Sequence, residues 1–477
     1  MRHRTRFTAA ATAALAACSS APPPPVDDEL PLEIPAAWTA ASTAAAPAPG
    51  LRVDWWREFG DARLDALVEQ GLQHNPNLQA AAARLEAAAA SQALAGAPLL
   101  PALDANFNAD RTRRLFLGFP FGSGAGVPAT TISQYGLSVA VRWELDVWGR
   151  LRSADAAALA DQQAALSDVQ GAQLSLAAQI CRAWYAAAEA QQQLLLAEST
   201  AAAFEQTLAD VRDRFRRGVR PALEVHQAAT NLANAAANSA QRRELLLAAR
   251  RRLDVLVGRY PAGDAALGDA LPDELPRVPA GLPSALLQRR PDLRAAERRV
   301  AAAGCRVDAA EAALYPRLAL TGSGGTQSLE LQELVDTDFR VWGLGANILQ
   351  PLFQGGALRA EVRRAEAVRA EALAGYRDAV LRAFGEVEDI LAAEGQLRDR
   401  LRALTDAASH AAQARDLARE RWQFGLTDFL AVADGQRQAF QAESARLTVT
   451  RQRIDNRIDL LLALGGGLSE PGANEPR

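Results

Sequence analysis

The chain has 477 residues, is 49% hydrophobic but only 6% aromatic, and carries a formal net charge of −4. That balance excludes the basic footprint of a nucleic-acid binder and the like-charge block of a solvating tail. All 52 basic residues are arginine, which removes lysine-dependent chemistry such as a phosphate-loop lysine or a Schiff base.

Arg2, Arg4 and Arg6 precede the short apolar stretch Phe7 to Ala17, the order of a secretion signal over residues 1–17. Leu15-Ala16-Ala17-Cys18 resembles a bacterial lipobox. That resemblance implies cleavage before Cys18 and attachment of lipid to its sulfur and its new amino group. An ordinary signal with an incidental cysteine is the plainer alternative. Several acyl chains anchor stably where a single one holds only marginally. Ser19 follows the cysteine in place of the aspartate that marks inner-membrane retention, so outer-membrane sorting is the implied default. Residues 18–60 then read as a lipidated Pro/Ala-rich tether and periplasmic segment, extended around Pro22 to Pro25.

The remainder is written twice. Shifted by 207 positions, Gly149 falls on Gly356, Gly218 on Gly425, Gly258 on Gly465, and Phe215 on Trp422. Upstream the shift becomes 215, with Pro76 on Pro291 and Pro101 on Pro316. The difference falls in one loop, which is longer in the first copy. A repeat of this length far exceeds the roughly 20–50 residues of a solenoid unit; it is a duplicated half-protein, with copies at 61–260 and 261–466 and a tail at 467–477.

In the first copy, Asp61 to Gln73 and Asn77 to Ala97 read as helices, with Leu64, Leu67, Val68 and Leu72 at spacings of three and four. The period then changes to two. Leu103, Ala105, Phe107 and Ala109 alternate with Asp104, Asn106, Asn108 and Asp110, giving a strand at about 101–111. After a glycine-rich loop, Tyr135, Leu137, Val139, Val141 and Trp143 mark a second strand at about 134–143. A long helix follows at about 150–215, with Leu166, Val169, Leu176, Ile180 and Ala183 on a heptad-like path. The second copy gives strands at about 316–325 and 339–349 and a long helix at about 357–422. Cys181 and Cys305 lie in alanine-rich helices and read as two buried free thiols.

Strands of about ten residues match a tilted barrel crossing of a bilayer. Four strands cannot close a barrel, for which roughly eight is the practical minimum. Lipid tolerates no open edge, so the chain is expected to oligomerise through its strands. Two copies would supply eight strands and three would supply twelve. The polar row Asp104, Asn106, Asn108, Asp110 favours a water-filled lumen and hence the larger number.

Four motifs point to a family: Asp146-Val147-Trp148-Gly149-Arg150, Arg290-Pro291-Asp292-Leu293, Tyr315-Pro316-Arg317-Leu318, and Leu349-Gln350-Pro351-Leu352-Phe353-Gln354-Gly355-Gly356. In this order on a duplicated frame, they resemble the outer-membrane efflux lipoproteins, the NodT-like branch of the TolC-type channel family. The resemblance runs from Trp55-Trp56 to Leu464-Gly465. It implies a mainly α-helical chain with a transmembrane β-barrel, assembled as a trimer with twelve strands and a long helical periplasmic tunnel. The implied function is the passive exit duct of a tripartite efflux pump. Its implied partners are a periplasmic adaptor, an inner-membrane transporter and the lipid of the outer membrane.

The resemblance also implies a periplasmic gate where the paired helices turn, at Gly218 and Gly425. Leu430 and Asp434 match the family's apolar and acidic constrictions, each a ring under threefold symmetry. Three close carboxylates repel one another and attract cations, so such a ring controls conduction. Glu224 stands where many members carry an acid of the tip network. Thr427 replaces the family's arginine after the second glycine, leaving Arg217 or Arg220 to substitute. His226 reads as a helix-surface residue, with a pH-sensitive tip contact as the sharper alternative.

The four histidines are far apart and none stands at metal-ligand spacing to a cysteine, and no G-x-S-x-G elbow is present. The reading is therefore not an enzyme and carries no catalytic residue, metal or cofactor beyond the lipid on Cys18. The alternatives are a lipid-anchored coiled-coil scaffold or adaptor without a pore, and a type I secretion duct. Drugs, solvents, metal ions and signalling molecules all remain open as cargo.

Overall fold

A computed structural model describes residues 35, 38–39, 54–115, 129–268, 271–272, 274–275 and 283–466. The signal stretch, Cys18, most of the tether and the 467–477 tail lie outside the described residues. After a 3-10 turn at Trp55–Phe59, the helices of the first copy are α1 (Ala62–His74), α2 (Pro76–Gly96), α3 (Arg150–Arg216) and α4 (Ala222–Val257). Those of the second are α5 (Pro283–Arg289), α6 (Pro291–Ala312), α7 (Ala357–Gln423) and α8 (Phe429–Ala463). The strands are β1 (Ala102–Leu115), β2 (Ala129–Leu145), β3 (Arg317–Ser328) and β4 (Arg340–Leu349). They fall into two compact units.

One unit, built from Leu85–Ala165 and Ala296–Tyr376 among its described residues, holds the sheet. Its strands lie in the order β1-β2-β3-β4, every neighbouring pair antiparallel. The strands contain 14, 17, 12 and 10 residues. The sequence placed β1's end near 111 and β2's start near 134. In the structure Thr112 pairs with Ile132 and Leu115 with Ala129. The extension lacks apolar alternation, so periodicity alone misses it, while its threonines suit a pleated backbone.

Register sorts the side chains onto two faces. Leu103 pairs with Val141 and Phe107 with Leu137, Trp143 with Leu320, and Leu318 with Ile348. These, with Trp342 and Leu344, form one apolar face. Trp342 is 80% exposed and Leu344 83% exposed, so this face meets no protein within the chain. The opposite face carries Asp104, Asn106, Ser138, Arg142, Thr321 and Asn347, with an Arg142–Asp104 ion pair at 3.3 Å. Gly325 is obligatory there, because a Cβ would collide with the carbonyl of Leu137.

The other unit includes Leu166–Ala295 and Arg377–Arg477. Asp61 caps α1 by accepting from the amides of Arg63 at 2.9 Å and Leu64 at 3.3 Å. Its other oxygen accepts from the Trp184 indole at 3.0 Å. Leu64, Val68, Ile180, Trp184, Leu253, Ile454, Ile458 and Leu461 are buried together, each large side chain contributing roughly 1.5–3 kcal/mol. The heptad path holds at Leu176, Ile180 and Ala183, which are buried, but Leu166 is exposed. Cys181 and Cys305 are free and buried. From the tether, the Trp38 ring meets Phe384 edge-on, and Thr39 donates from its amide and hydroxyl to Glu388 at 2.8 Å.

The duplication is explicit in the backbone. Both long helices have 67 residues. Gly149 and Gly356 have φ of 82° and 83°, Gly218 and Gly425 72° and 76°, and Gly258 and Gly465 82° and 86°. The last pair also sits against a neighbouring turn. A Cβ on Gly258 would lie 2.7 Å from the His74 carbonyl oxygen, and one on Gly465 2.8 Å from that of Arg289. Beside them, Asn75 donates to the Leu256 carbonyl at 2.8 Å, and Arg290 donates to the matching Ala463 carbonyl at 3.4 Å.

Gly258→Ala and Gly465→Ala should each lose more than about 2 kcal/mol, combining left-handed strain with a backbone collision. Gly218→Ala, with open space around its Cβ, should lose only about 1 kcal/mol. Thermal unfolding followed by the helical circular dichroism signal would measure this; equal losses at all three would remove the close-approach account.

Candidate functional site

The tip of the helical unit is where the sequence placed its site residues. Both turns close alike. The Gly218 amide donates to the Phe215 carbonyl at 2.8 Å and that of Val219 to Arg214 at 2.9 Å. Gly425 and Leu426 donate to Trp422 and Arg421 at 3.0 and 2.9 Å. These are helix ends of the left-handed glycine type. The restarts differ. Asp428 caps α8 by accepting from the Ala431 amide at 3.0 Å, whereas Pro221 begins α4 without a side-chain cap.

Arg220 and Glu224 form an ion pair at 3.5 Å within the first hairpin, both side chains mostly buried. The Arg220 Nε and one Glu224 oxygen are buried without a hydrogen-bond partner. Arg217 is not brought to them: it pairs with Asp213 at 2.6 Å, four residues back on α3. An intrahelical partner one turn away is the nearer carboxylate. Leu430 is 66% exposed. Asp434, one turn on, is held by Arg437 and by the Gln438 amide at 2.6 Å. Leu430 and Asp434 line a cleft of about 950 Å³ with Gln227, Asn231, His226 and Phe440.

Sequence reasoning missed the residue that ties the two hairpins together. Arg214 donates to the Trp422 carbonyl at 3.1 Å and to that of Gln423 at 3.0 Å. Its guanidinium also sits 4.1 Å from the Trp422 ring centroid. A cation at the end of α7 meets the unpaired carbonyls and the negative end of the helix dipole. Trp422 is thereby buried, with Phe429, Leu208, Val211 and Val432 around it. Its duplicate Phe215 is 45% exposed. The signal was available: Arg214 occupies the last turn of a helix whose repeat partner carries tryptophan in its own last turn.

Between α3 and α8 runs a polar ladder. Arg451 pairs with Glu189 at 2.8 Å and with Asp455, and Arg182 pairs with Asp459. Thr448 donates to Glu189 at 3.0 Å, and Gln193 to the Ser444 carbonyl at 3.0 Å. Burial pushes the Asp455 carboxyl up to about 6 against the opposing pull of Arg451. Burial likewise raises Asp459 and the Cys181 thiol, which keeps that thiol unreactive. Among the described residues no helix is long and apolar enough to cross a membrane, and no group of His, Cys, Asp or Glu could hold a metal ion.

A sheet of bilayer-length strands with an apolar face bare of protein, joined to helices too polar for lipid, defines an outer-membrane duct component. The chain belongs to the outer membrane efflux protein family, whose model matches it twice, over residues 67–259 and 282–466. It is 34% identical over 439 residues to outer membrane protein OprJ of Pseudomonas aeruginosa, covering 91% of this chain and 90% of that protein. It is 32% identical over 415 residues to the toluene efflux pump outer membrane protein TtgF of Pseudomonas putida, with 87% and 85% covered. Among solved structures, the outer-membrane channel OprN superposes with a TM-score of 0.84 at 30% identity, covering 94% of this chain and 99% of that one. The outer membrane protein VceC of Vibrio cholerae gives 0.80 at 27%, covering 87% and 99%. The chain is thus an outer-membrane efflux duct and not an enzyme, and the reading of it as a poreless scaffold is set aside.

Arg214→Ala should cost about 1–3 kcal/mol through lost charged hydrogen bonds and cation–π contact. Amide exchange at residues 422–426 should accelerate, while exchange near Gly258 stays unchanged; protected amides at 422–426 would remove Arg214 as the tie. Asp455 is raised above its unfolded value, so its contribution is full below about pH 4 and is lost as pH rises through about 6. Asp455→Asn should therefore stabilise by about 1–2 kcal/mol at neutral pH and flatten the stability change between about pH 4 and 6. Unfolding midpoints at those pH values would show it, and an unaltered slope would count against it.

Proposed function

We propose that three copies join through the free edges of β1 and β4 into a twelve-stranded barrel in the outer membrane, continued by a helical periplasmic tunnel. The duct conducts small molecules passively, an inner-membrane transporter supplies the energy, and a periplasmic adaptor links the two. The observation that carries this reading is the sheet itself: four bilayer-length strands, an exposed apolar face and two unpaired edges. Eight strands is the practical minimum for closure, and a polar inner face asks for a wider lumen than eight strands leave. Acylated Cys18 would fasten each copy to the membrane. The cargoes named for similar proteins, toluene for the efflux pump outer membrane protein TtgF and pyoverdine for the export outer membrane protein OpmQ of Pseudomonas aeruginosa, fit a permissive duct serving small molecules.

The gate lies at the tip. Leu430 would form an apolar ring and Asp434 an acidic one a turn away. The orphan Glu224 oxygen and Arg220 Nε support a tip network completed by a neighbouring copy, with Arg220 taking the place of the arginine that Thr427 replaces. Arg217, engaged by Asp213, plays no part in it.

The purified protein should run as a heat-resistant trimer and give single channels in a planar bilayer; a monomer without conductance would sink the duct. Asp434→Ala should raise conductance or open time by about twofold or more, as loss of a charged constriction does. The same change at its repeat partner Gln227 should do less, and equal effects would remove the gate assignment.

A further inference from the structure

The unit that holds the sheet has a cavity of its own. It is a half-open recess of about 430 Å³ between the start of α3, the end of α6 and the start of α7, a size suited to a small organic molecule. Alanines of α3 and α6 form much of its wall, and their small side chains leave the recess open. Four arginines line it, Arg150, Arg306, Arg317 and Arg364, against two carboxylates, Asp161 and Glu361.

Three of these arginines are engaged: Arg150 with Glu144 at 2.7 Å, Arg306 with Asp161, and Arg364 with Glu361. Arg317, exposed at the start of β3, has no ion-pair or side-chain hydrogen-bond partner among the described residues. The Nε of Arg150 is buried and has no acceptor. A buried donor left unmade is costly, and a guanidinium is shaped to take an oxyanion with two parallel bonds. The cavity therefore presents one exposed guanidinium with no carboxylate partner and one buried unmade donor beside an apolar wall.

Two residues say which way it faces. Arg317 opens β3 in the row of Ala319, Thr321 and Ser323, and Glu144, the partner of Arg150, lies in the β2 row of Arg142 and Ser138. Both belong to the polar face, the lumen side of the duct. The three helices adjoin β2, β3 and β4, and every residue that lines the cavity comes from one chain.

We propose that this cavity is a binding station for amphipathic organic anions in transit, resting on the duct reading above. A carboxylate, sulfate or sulfonate head engages Arg317 and Arg150, and a compact apolar body lies against the alanines. A cation of the same shape is repelled by the same arginines. The duct is then not neutral towards its cargo at the foot of the barrel.

The test uses the full-length protein in phosphatidylcholine nanodiscs, with pyrenesulfonate and the similarly shaped cation pyrenylmethylammonium followed by fluorescence anisotropy. The anion should bind at least about tenfold more tightly than the cation, and Arg317→Gln and Arg150→Gln should each weaken it about tenfold. Arg415→Gln, a change on α7 outside the cavity, should leave it unmoved. Because Arg317 has no partner to lose, its variant keeps the fold, and the heat-resistant trimer verifies that for both. Equal affinity for the two probes, or an anion affinity untouched by both substitutions, would overturn the proposal. Replacing half the lipid by phosphatidylglycerol separates cargo from lipid phosphate: unchanged affinity keeps the assignment, and a tenfold loss gives the cavity to lipid and overturns it. A wild-type channel that conducts but shows no preference for the anion removes the station and leaves the duct; absence of conductance removes the duct.

Discussion

Everything in this chain answers to the backbone groups along the outer edges of β1 and β4. In water such groups cost little, because solvent satisfies them. In hydrocarbon each costs several kcal/mol, and no residue substitution relieves that cost. The four-stranded sheet is thus an arc that is viable only when other copies complete it. The apolar face, the polar face and the tightly packed Gly325 follow from making an arc that lipid wets on one side and water on the other.

The helices solve a different problem, that of packing long rods against one another with few aromatic residues. Alanine gives close approach and good helix propensity, but it buries little area. Large side chains are concentrated instead at two levels, around Trp184 with Ile458 and around Trp422 with Val211. Between those levels α3 and α8 are held by Glu189, Arg451 and Asp455, and just beyond the first level by Arg182 and Asp459. Buried carboxylates bound to arginines add little net stability, yet they fix which helical turn faces which.

Much of this was legible in the sequence. Alternation in β1 and β2, the paired glycines and the absence of proline in the long helices gave the elements within a few residues. The match of Gly149, Gly218 and Gly258 to their repeats foretold backbone geometry, because left-handed conformations are residue-specific. What stayed hidden was side-chain choice among several near partners. Arg217, Arg220 and Arg214 are all basic residues near one turn, and nothing in their order says that the first takes Asp213, the second Glu224 and the third the end of another helix. The polar continuation of β1 past residue 111 was equally silent, since ladder pairing there has no hydrophobic period to announce it. The cavity of the sheet unit draws on residues from α3, β3, α6 and α7, a grouping that only the fold creates.

The bond between Arg214 and the end of α7 has a consequence for how the chain can change over time. Each long helix begins one residue after a glycine of the pair Gly149 and Gly356 and runs 67 residues. Deleting one residue from α3 alone would draw its end back by about 1.5 Å and turn it by about 100°, and Arg214 would point away from Trp422. Restoring the contact requires a matching deletion in α7. The tip contact therefore acts as a gauge that compares the lengths of the two copies, so insertions and deletions in these helices are expected to be inherited in pairs, whereas substitutions in either helix remain independent.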